Sequence, residues 1–421
     1  VIGNPPYIKE YENKSAFDGF REKSPYYVGK MDLWYGFACT SIDLLKNSGI
    51  LCFIATNNWV TNAGAALMRN KIITDTKILQ LVDFGDYMVF GDSASIQTMI
   101  MLFSNTKKSL NYNFDYRRLV KGTPNLKNAL ELLDKKEDEA IYLSPQIDRL
   151  KNINMLLTFN SEDKDAVFSH MLYDADFLNA DEATNGIHPH YDFVNNRIAR
   201  KFPFVKNGEG IFGLSMLEKE NLHLTSEELL LVKPYYNTFQ VKRYYTIKEN
   251  NEWIIYTNST FKNINSMDLY PHLKAHLDKY ADVISSDNKP YGLHRARDER
   301  FFKGEKIVSL RKCVGRPSFS YSDFDAYVSA TFYVIKTERY DMKYLTGLLN
   351  STLIAFWLRN RGKMQGNNYQ IDKEPLLQIP LKKENDGKVA NLVASIIDRL
   401  KTNPQADTTS LENQIDYLVY H

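Results

Sequence analysis

The spacing of hydrophobic positions changes several times along the chain, and each change marks an element. Between Met31 and Asn47, the apolar residues Leu33, Trp34, Phe37, Ala38, Ile42, Leu44 and Leu45 recur at helical spacing. Ser48-Gly49 supplies the stop. Gly49 to Ala55 is a continuous apolar run, the pattern of a strand buried on both faces. Thr56-Asn57-Asn58-Trp59 predicts a turn at its C-terminal end. A second helix is expected from Ala63 to Ile73, then strands from Lys77 to Phe84 and from Ser95 to Phe103. Strand, helix, strand and strand in that order predict the closing half of a doubly wound α/β sheet. Residues 8–30 are polar with Gly and Ser breaks, and read as a loop with short helical turns.

Beyond this region the pattern loosens. Residues 106–165, with Lys107-Lys108, Arg117-Arg118 and a run of mixed charges, predict a charged strand-and-helix connector. Residues 166–384 form a second apolar-rich unit of short strands, turns and many aromatics. The tail, 385–421, returns to helical spacing through Val389 to Leu400 and again through Leu411 to Val419.

Composition adds limits. A chain of 421 residues can bury two or three cores, and its 43% hydrophobic content is ordinary for a soluble globular protein. No apolar run reaches membrane-span length, so no membrane partner is expected. Cys39, Cys52 and Cys313 form no CxxC pair and read as reduced, buried thiols with no metal site. The net charge of +2 decides nothing about nucleic acid, because a local basic face matters more than the total.

The first seven residues carry the candidate chemistry. Val1-Ile2-Gly3 leads into Asn4-Pro5-Pro6-Tyr7, where each Pro fixes its own φ and biases the preceding residue toward an extended conformation. The Asn4 amide and the Pro5 carbonyl are thereby aimed in fixed directions beside the flat Tyr7 ring. Such a corner suits a planar base with an exocyclic amine. Two acceptors take the amine hydrogens, the ring stacks on the base, and the nitrogen lone pair is drawn out to attack a methyl donor. The same residues also fit a Pro-Pro turn after a strand.

Asn4-Pro5-Pro6-Tyr7 resembles the catalytic motif of amino-methyltransferases. Further residues make the chain similar to the gamma-class N6-adenine DNA methyltransferases and to single-chain Type IIG restriction–modification enzymes with a TaqI-like C-terminal specificity domain. Asp32-Leu33-Trp34 matches the helix after the catalytic loop, and Asp86 to Phe103 the segment whose aromatic, here Phe90, lies against a flipped base. In the second unit the landmarks run in family order. They are Asn185-Gly186-Ile187 with His188-Pro189-His190, Lys233-Pro234-Tyr235-Tyr236, Trp253-Ile254-Ile255-Tyr256, Tyr270-Pro271-His272-Leu273, Gly304-Glu305-Lys306-Ile307-Val308 and Leu348-Leu349-Asn350-Ser351.

The resemblance implies four segments. Residues 1–105 would be part of a Rossmann-like methyltransferase sheet, 106–165 a connector, 166–384 an α+β target-recognition domain, and 385–421 a helical tail. It implies adenine-N6 methylation of double-stranded DNA with S-adenosylmethionine, Asn4, Pro5, Pro6 and Tyr7 being catalytic, Phe90 on the substrate, and Asn4 and Asp32 at the donor. It also implies a bacterial or archaeal cytoplasmic setting. The family's glycine-rich donor site lies before the catalytic corner, so the chain is expected to be the C-terminal portion of a larger enzyme. Its partner would be the missing N-terminal part, with or without a nuclease domain, and the portion alone would be inactive. A DNA-binding specificity module without catalysis, or an RNA or protein amine methyltransferase, are the alternatives.

Three patterns needed weighing against that reading. Gly208 to Gly213 fits G-x-G-x-x-G but lacks a βαβ setting, so a plain glycine loop is expected. His272 and His276 are four apart without the Glu of a zinc motif, and read as surface or groove-facing histidines. Arg295, Arg297, Arg300, Lys303, Lys306, Arg311, Lys312 and Arg316 crowd one stretch with few acids nearby in sequence. Arg295, Arg297, Arg300, Arg311, Lys312 and Arg316 are the candidate DNA contacts.

Overall fold

The computed structural model describes residues 1–420 apart from 92–95, 107–108, 158, 160–161, 366–367 and 384–385. Lys107-Lys108, the expected strand start at Ser95 and the segment boundary at 384/385 lie outside the described residues. The protein is mixed α/β and divides into two compact units, 1–171 and 172–421.

The first unit is built on a six-stranded sheet. Its strands are β1 (Ile2–Gly3), β2 (Ile50–Thr56), β3 (Lys77–Asp83), β4 (Thr98–Ser104), β5 (Asp115–Leu119) and β6 (Ala140–Leu143), in the order β1-β2-β4-β3-β5-β6. β1 is parallel to β2, with Gly3 opposite Phe53, and β3 is parallel to β5. β4 runs antiparallel to both β2 and β3, closing the gap between them. The strands β1, β2 and β3 therefore point the same way, and their C-terminal ends share one edge. β5 and β6 come from the charged stretch after residue 105, so that stretch extends this sheet.

Helices α1 (Leu33–Asp43) and α2 (Ala66–Asp75) follow the expected apolar stripes, α1 shortened at both ends and α2 starting and ending later than expected. Trp34, Ala38 and Ile42 of α1 and Met68 and Ile72 of α2 share a core with Leu51, Phe53 and Ala55 of β2. Full burial of such a side chain stabilises the fold by roughly 1.5–3 kcal/mol. Alternate residues of β2 are buried or partly covered, so the strand is covered on both faces as its continuous apolar run predicts. After β3 the chain turns at Gly85, whose φ is +57° and where a Cβ would lie 2.3 Å from the Leu119 carbonyl oxygen. Only glycine fits there.

The second unit holds a four-stranded sheet in the order 213–215, 252–255, 232–236, 327–328. A five-stranded sheet runs 244–245, 319–322, 306–310, 332–335, 183–185. Ile211, Phe212, Leu214, Ile254, Ile255, Phe302, Val308 and Val334 belong to one buried core. Helix Met342–Asn350 packs on helix Lys388–Thr402 at Gly347, where a Cβ would come within 2.7 Å of Val389. A second tail helix spans Thr409–Tyr420. Among the described residues no helix is long and apolar enough to cross a membrane.

The Leu348-Leu349-Asn350-Ser351 landmark has a structural cause. Asn350 is buried, donates to Phe319 O (2.7 Å) and Thr346 O (3.0 Å), and accepts from Phe319 N at 3.0 Å. It pins the helix end to strand 319–322, while Ser351 caps the next helix through Ile354 N.

Candidate functional site

Asn4 follows directly from the C-terminal end of β1, at the shared edge of the parallel strands. In open α/β sheets this edge is where ligands bind. Asn4 and Pro6 are exposed, Pro5 is buried, and Tyr7 is half-buried. The Tyr7 hydroxyl donates to the Ile54 carbonyl oxygen of β2 at 2.8 Å and is also in close hydrogen-bond contact with Asn4 Oδ1. One phenolic proton thus serves two oxygens and ties the corner to the neighbouring strand. Burial, reinforced by the nearby Asp32 carboxyl, pushes the Tyr7 phenol up to about 12. It stays protonated and keeps that hydrogen bond throughout the working range of pH.

Phe90 lies in the connection between β3 and β4, 41% exposed. Its ring centroid is 6.1 Å from that of Tyr7, and the planes are inclined at 49°. Two rings holding a base between them stand roughly 7 Å apart, two stacking distances, so a base would enter only with a ring displaced. The structure brings Tyr7 and Phe90 together in a closed arrangement.

Asp32 caps the N-terminus of α1 through a 3.5 Å contact from Trp34 N. It is only 5% exposed. Burial raises its carboxyl to about 6, only partly offset by backbone hydrogen bonds from Trp34 and Ile8 and by Lys9. A buried carboxyl so weakly satisfied fits a cationic ligand group, and the methionine ammonium of S-adenosylmethionine is one. Asn4 and Asp32 are the residues here able to hold that donor.

Around the corner is a polar network that the sequence did not single out. Trp34 Nε1 donates to Thr56 Oγ1 (3.1 Å), Thr56 Oγ1 donates to Asn58 Oδ1 (3.0 Å), and Tyr35 reaches Asn58 Oδ1 (3.4 Å). Asn57 Nδ2 donates to Asp83 Oδ1 at 3.0 Å, joining the ends of β2 and β3. The available signal was Asn57-Asn58 directly after a buried strand, two amides where a turn needs one.

The six basic candidates of the second unit separate by their partners. Arg311 donates twice to Asp372, at 3.2 and 2.7 Å. Arg316 shares Glu412 with Arg243. Arg300 pairs with Asp298 and donates to Asp181 O. Arg297 is half-buried and donates to Gly186 O. Among the described residues Arg295 and Lys312 are exposed and have no ion pair. Acids distant in sequence, Asp372 and Glu412, therefore balance charges that looked unbalanced along the chain. Lys306, read as part of the same cluster, is buried and donates to Gly304 O and Phe324 O; burial drives its ammonium down to about 7.

The glycine loop at 208–213 gives the Gly210 N–H to the Glu218 carboxylate at 2.7 Å, which leaves that group nothing to offer a phosphate. The expectation that both helix histidines face the surface or a groove is corrected at His276. It is 6% exposed with Nε2 2.9 Å from Ile211 O, because its helix packs that face against the core. Among the described residues no group of His, Cys, Asp and Glu is arranged to hold a metal ion.

Residues 1–90 match the Eco57I restriction-modification methylase family, and residues 233–381 match the TaqI-like C-terminal specificity domain. The Type II methyltransferase M.HindII of Haemophilus influenzae is 19% identical over 436 residues, covering 96% of this chain and 79% of the relative. M.HincII from the same species is 20% identical over the same shares. The Type IIL restriction-modification enzyme MmeI, solved in complex with DNA, shares the fold with a TM-score of 0.62 at 13% identity. It covers all of this chain, which spans 53% of the MmeI chain. The chain is thus similar over its first 90 residues to the Eco57I restriction-modification methylase family and over residues 233–381 to the TaqI-like C-terminal specificity domain.

Proposed function

We propose that this chain supplies the target-base corner and the sequence-reading unit of a DNA methyltransferase that modifies the N6 amine of adenine. The observation that carries the reading is the Asn4–Tyr7 corner at the C-terminal edge of parallel strands, with Tyr7 anchored to Ile54 and Phe90 facing it. The target adenine leaves the duplex to reach the corner, because its amine is otherwise inside the stack. Asn4 Oδ1 and Pro5 O each accept one amine hydrogen, while Tyr7 stacks on the base and Phe90 closes the other face. As Asn4 Oδ1 takes the amine, the Tyr7 hydroxyl keeps its proton and its hydrogen bond to Ile54 O, so the corner is not left with an unmatched donor. S-adenosylmethionine, when bound, supplies the electrophilic methyl group. Orientation of the amine lone pair, rather than a general base, then supplies the catalysis.

Asn4 and Asp32 are the donor contacts assigned within this chain. Two contacts are too few to order a flexible cofactor against its binding entropy. The proposal therefore includes that the isolated chain binds DNA without transferring methyl, and that an N-terminal part of the same enzyme completes the donor site. The experiment is a labelled-methyl transfer assay on mixed-sequence duplex, beside calorimetry with S-adenosylmethionine and a gel-shift on the same DNA. A retarded complex without label is expected from the chain alone, and N6-methyladenine from an enzyme containing it. Methyl transfer by the isolated chain would overturn the donor assignment; label on cytosine would overturn the adenine reading.

A further inference from the structure

Three histidines distant in sequence meet on the second unit. The ring centroids of His188 and His294 are 5.3 Å apart, those of His190 and His294 5.6 Å, and those of His188 and His190 6.2 Å. Two backbone hydrogen bonds between His188 and Arg295 hold the two segments together, which places the Arg295 side chain at the same spot. His190 adopts a φ of +80°, a conformation uncommon outside glycine, so its ring is held where it is by a backbone cost.

The groups facing the triangle are few. Ser285 Oγ is 2.8 Å from His190 Nδ1, and the Tyr191 ring is 4.6 Å from the His190 ring. Asp287, itself exposed, stands 3.5 Å from His294 Nδ1, an ion-pair distance without a formed hydrogen bond. Arg295 and Arg297 complete the surroundings, Arg297 being tied to Gly186 O. One carboxylate thus faces two guanidiniums and three imidazoles. As arranged, the three rings do not form a metal-ligand group among the described residues. It is the arrangement an anion would fill.

We propose that His188, His190 and His294, with Arg295 and Arg297, form a phosphodiester-binding site that takes up protons when duplex DNA binds. This rests on the reading of the second unit as DNA-binding, and adds where one backbone phosphate sits and what it does to the protein's charge. In the free protein burial and mutual repulsion hold His188 and His190 below the ordinary imidazole range. A phosphate at the centre reverses that repulsion and turns ring nitrogens into donors. Binding and protonation are then linked, so affinity rises as pH falls.

The test is fluorescence anisotropy of the full chain with a labelled duplex at constant ionic strength, from about pH 8.5 to about pH 5.5. Affinity should increase toward acid, approaching about tenfold per pH unit for each proton taken up. The combined variant His188→Gln, His190→Gln, His294→Gln should bind with a flat profile while keeping its salt dependence. Calorimetry of the unaltered chain in two buffers of different ionisation heat should register net proton uptake, a readout that needs no variant. Binding with no uptake, or an unchanged pH slope in the triple variant, overturns this site alone. Absence of DNA binding at every pH overturns the reading of the unit on which it rests, and the site with it.

Discussion

Asn4 and Asn350 are the same residue in opposite circumstances, as are the two buried acids Asp32 and Glu228. Asn350 spends both its amide hydrogens and its oxygen on Phe319 and Thr346. Glu228, fully buried, accepts from Thr225 N, His272 N, His272 Nδ1 and Leu273 N. Burial works against its charge, yet those hydrogen bonds hold the carboxyl below its ordinary range. In the first unit Asn4 faces solvent with Tyr7 as its hydrogen-bond partner, and Asp32 is buried with backbone hydrogen bonds from Trp34 and Ile8 that do not offset the cost of burying its charge. Polar groups that are fully matched hold a fold together; those left short of partners at a strand edge are available to a ligand.

The contrast can be broken from its structural side first. Asn350→Leu leaves the Phe319 N–H and C=O buried without partners, and each such group costs about 1–3 kcal/mol. A loss of about 2–4 kcal/mol in unfolding free energy is expected, read by urea denaturation. A loss below about 0.5 kcal/mol would mean that water replaces the amide and that the helix is not pinned there.

At Tyr7 the effect is on activity. In an enzyme that contains this chain and transfers methyl, Tyr7→Ala should cost the stacking of the base, about 1–3 kcal/mol, or roughly ten- to a hundredfold in kcat/KM. Tyr7→Phe keeps the ring and loses the hydroxyl's hydrogen bonds to Ile54 and Asn4, so a smaller, few-fold loss is expected. Equal losses from both variants would remove stacking as the role of the ring.

Asp32 gives the contrast a pH signature. Its carboxyl titrates near about 6 in the folded chain against the ordinary 3.8. The folded state therefore holds the proton more tightly, and stability falls as pH rises from about 4 to about 6. The expected change is on the order of 2 kcal/mol. Asp32→Asn should flatten thermal stability across that window, and a wild-type slope in the variant would show that another group titrates there.

The smallest effect separates the basic residues. Lys312→Ala should lower the salt slope of DNA binding by about one unit. Arg311→Ala, whose partner is Asp372, should leave the slope unchanged and reduce stability instead. Identical slopes for both variants would erase the distinction between free and paired cations.

Much of the first unit was readable because its signals are local. The run from Gly49 to Ala55 needs no distant partner to be recognised as a buried strand, and Asn4 to Tyr7 are contiguous. Strands were expected in the charged stretch that holds β5 and β6, but not that they extend the first sheet, because β5 pairs with β3 far back along the chain and β6 with β5. In the second unit the meaning of each charge depends on partners far along the chain. Nothing near Arg316 announces Glu412, and nothing near His188 announces His294. The landmark residues could be seen without their reasons, and Asn350 is one whose reason is now plain.

The placement of β4 has a consequence for how the protein comes into being. β2 and β3 never pair with each other; the edges they turn toward one another are filled only when residues 98–104 arrive between them. During synthesis both strands wait with open hydrogen-bonding edges until that later segment has left the ribosome, the condition in which nascent chains aggregate. The matched methylase segment stops at residue 90, short of β4. A truncation made at that boundary would keep every residue of the corner and lose the strand that joins the sheet. Expression trials that cut there are therefore expected to yield insoluble protein, whereas cuts beyond residue 171 respect the unit's own limit.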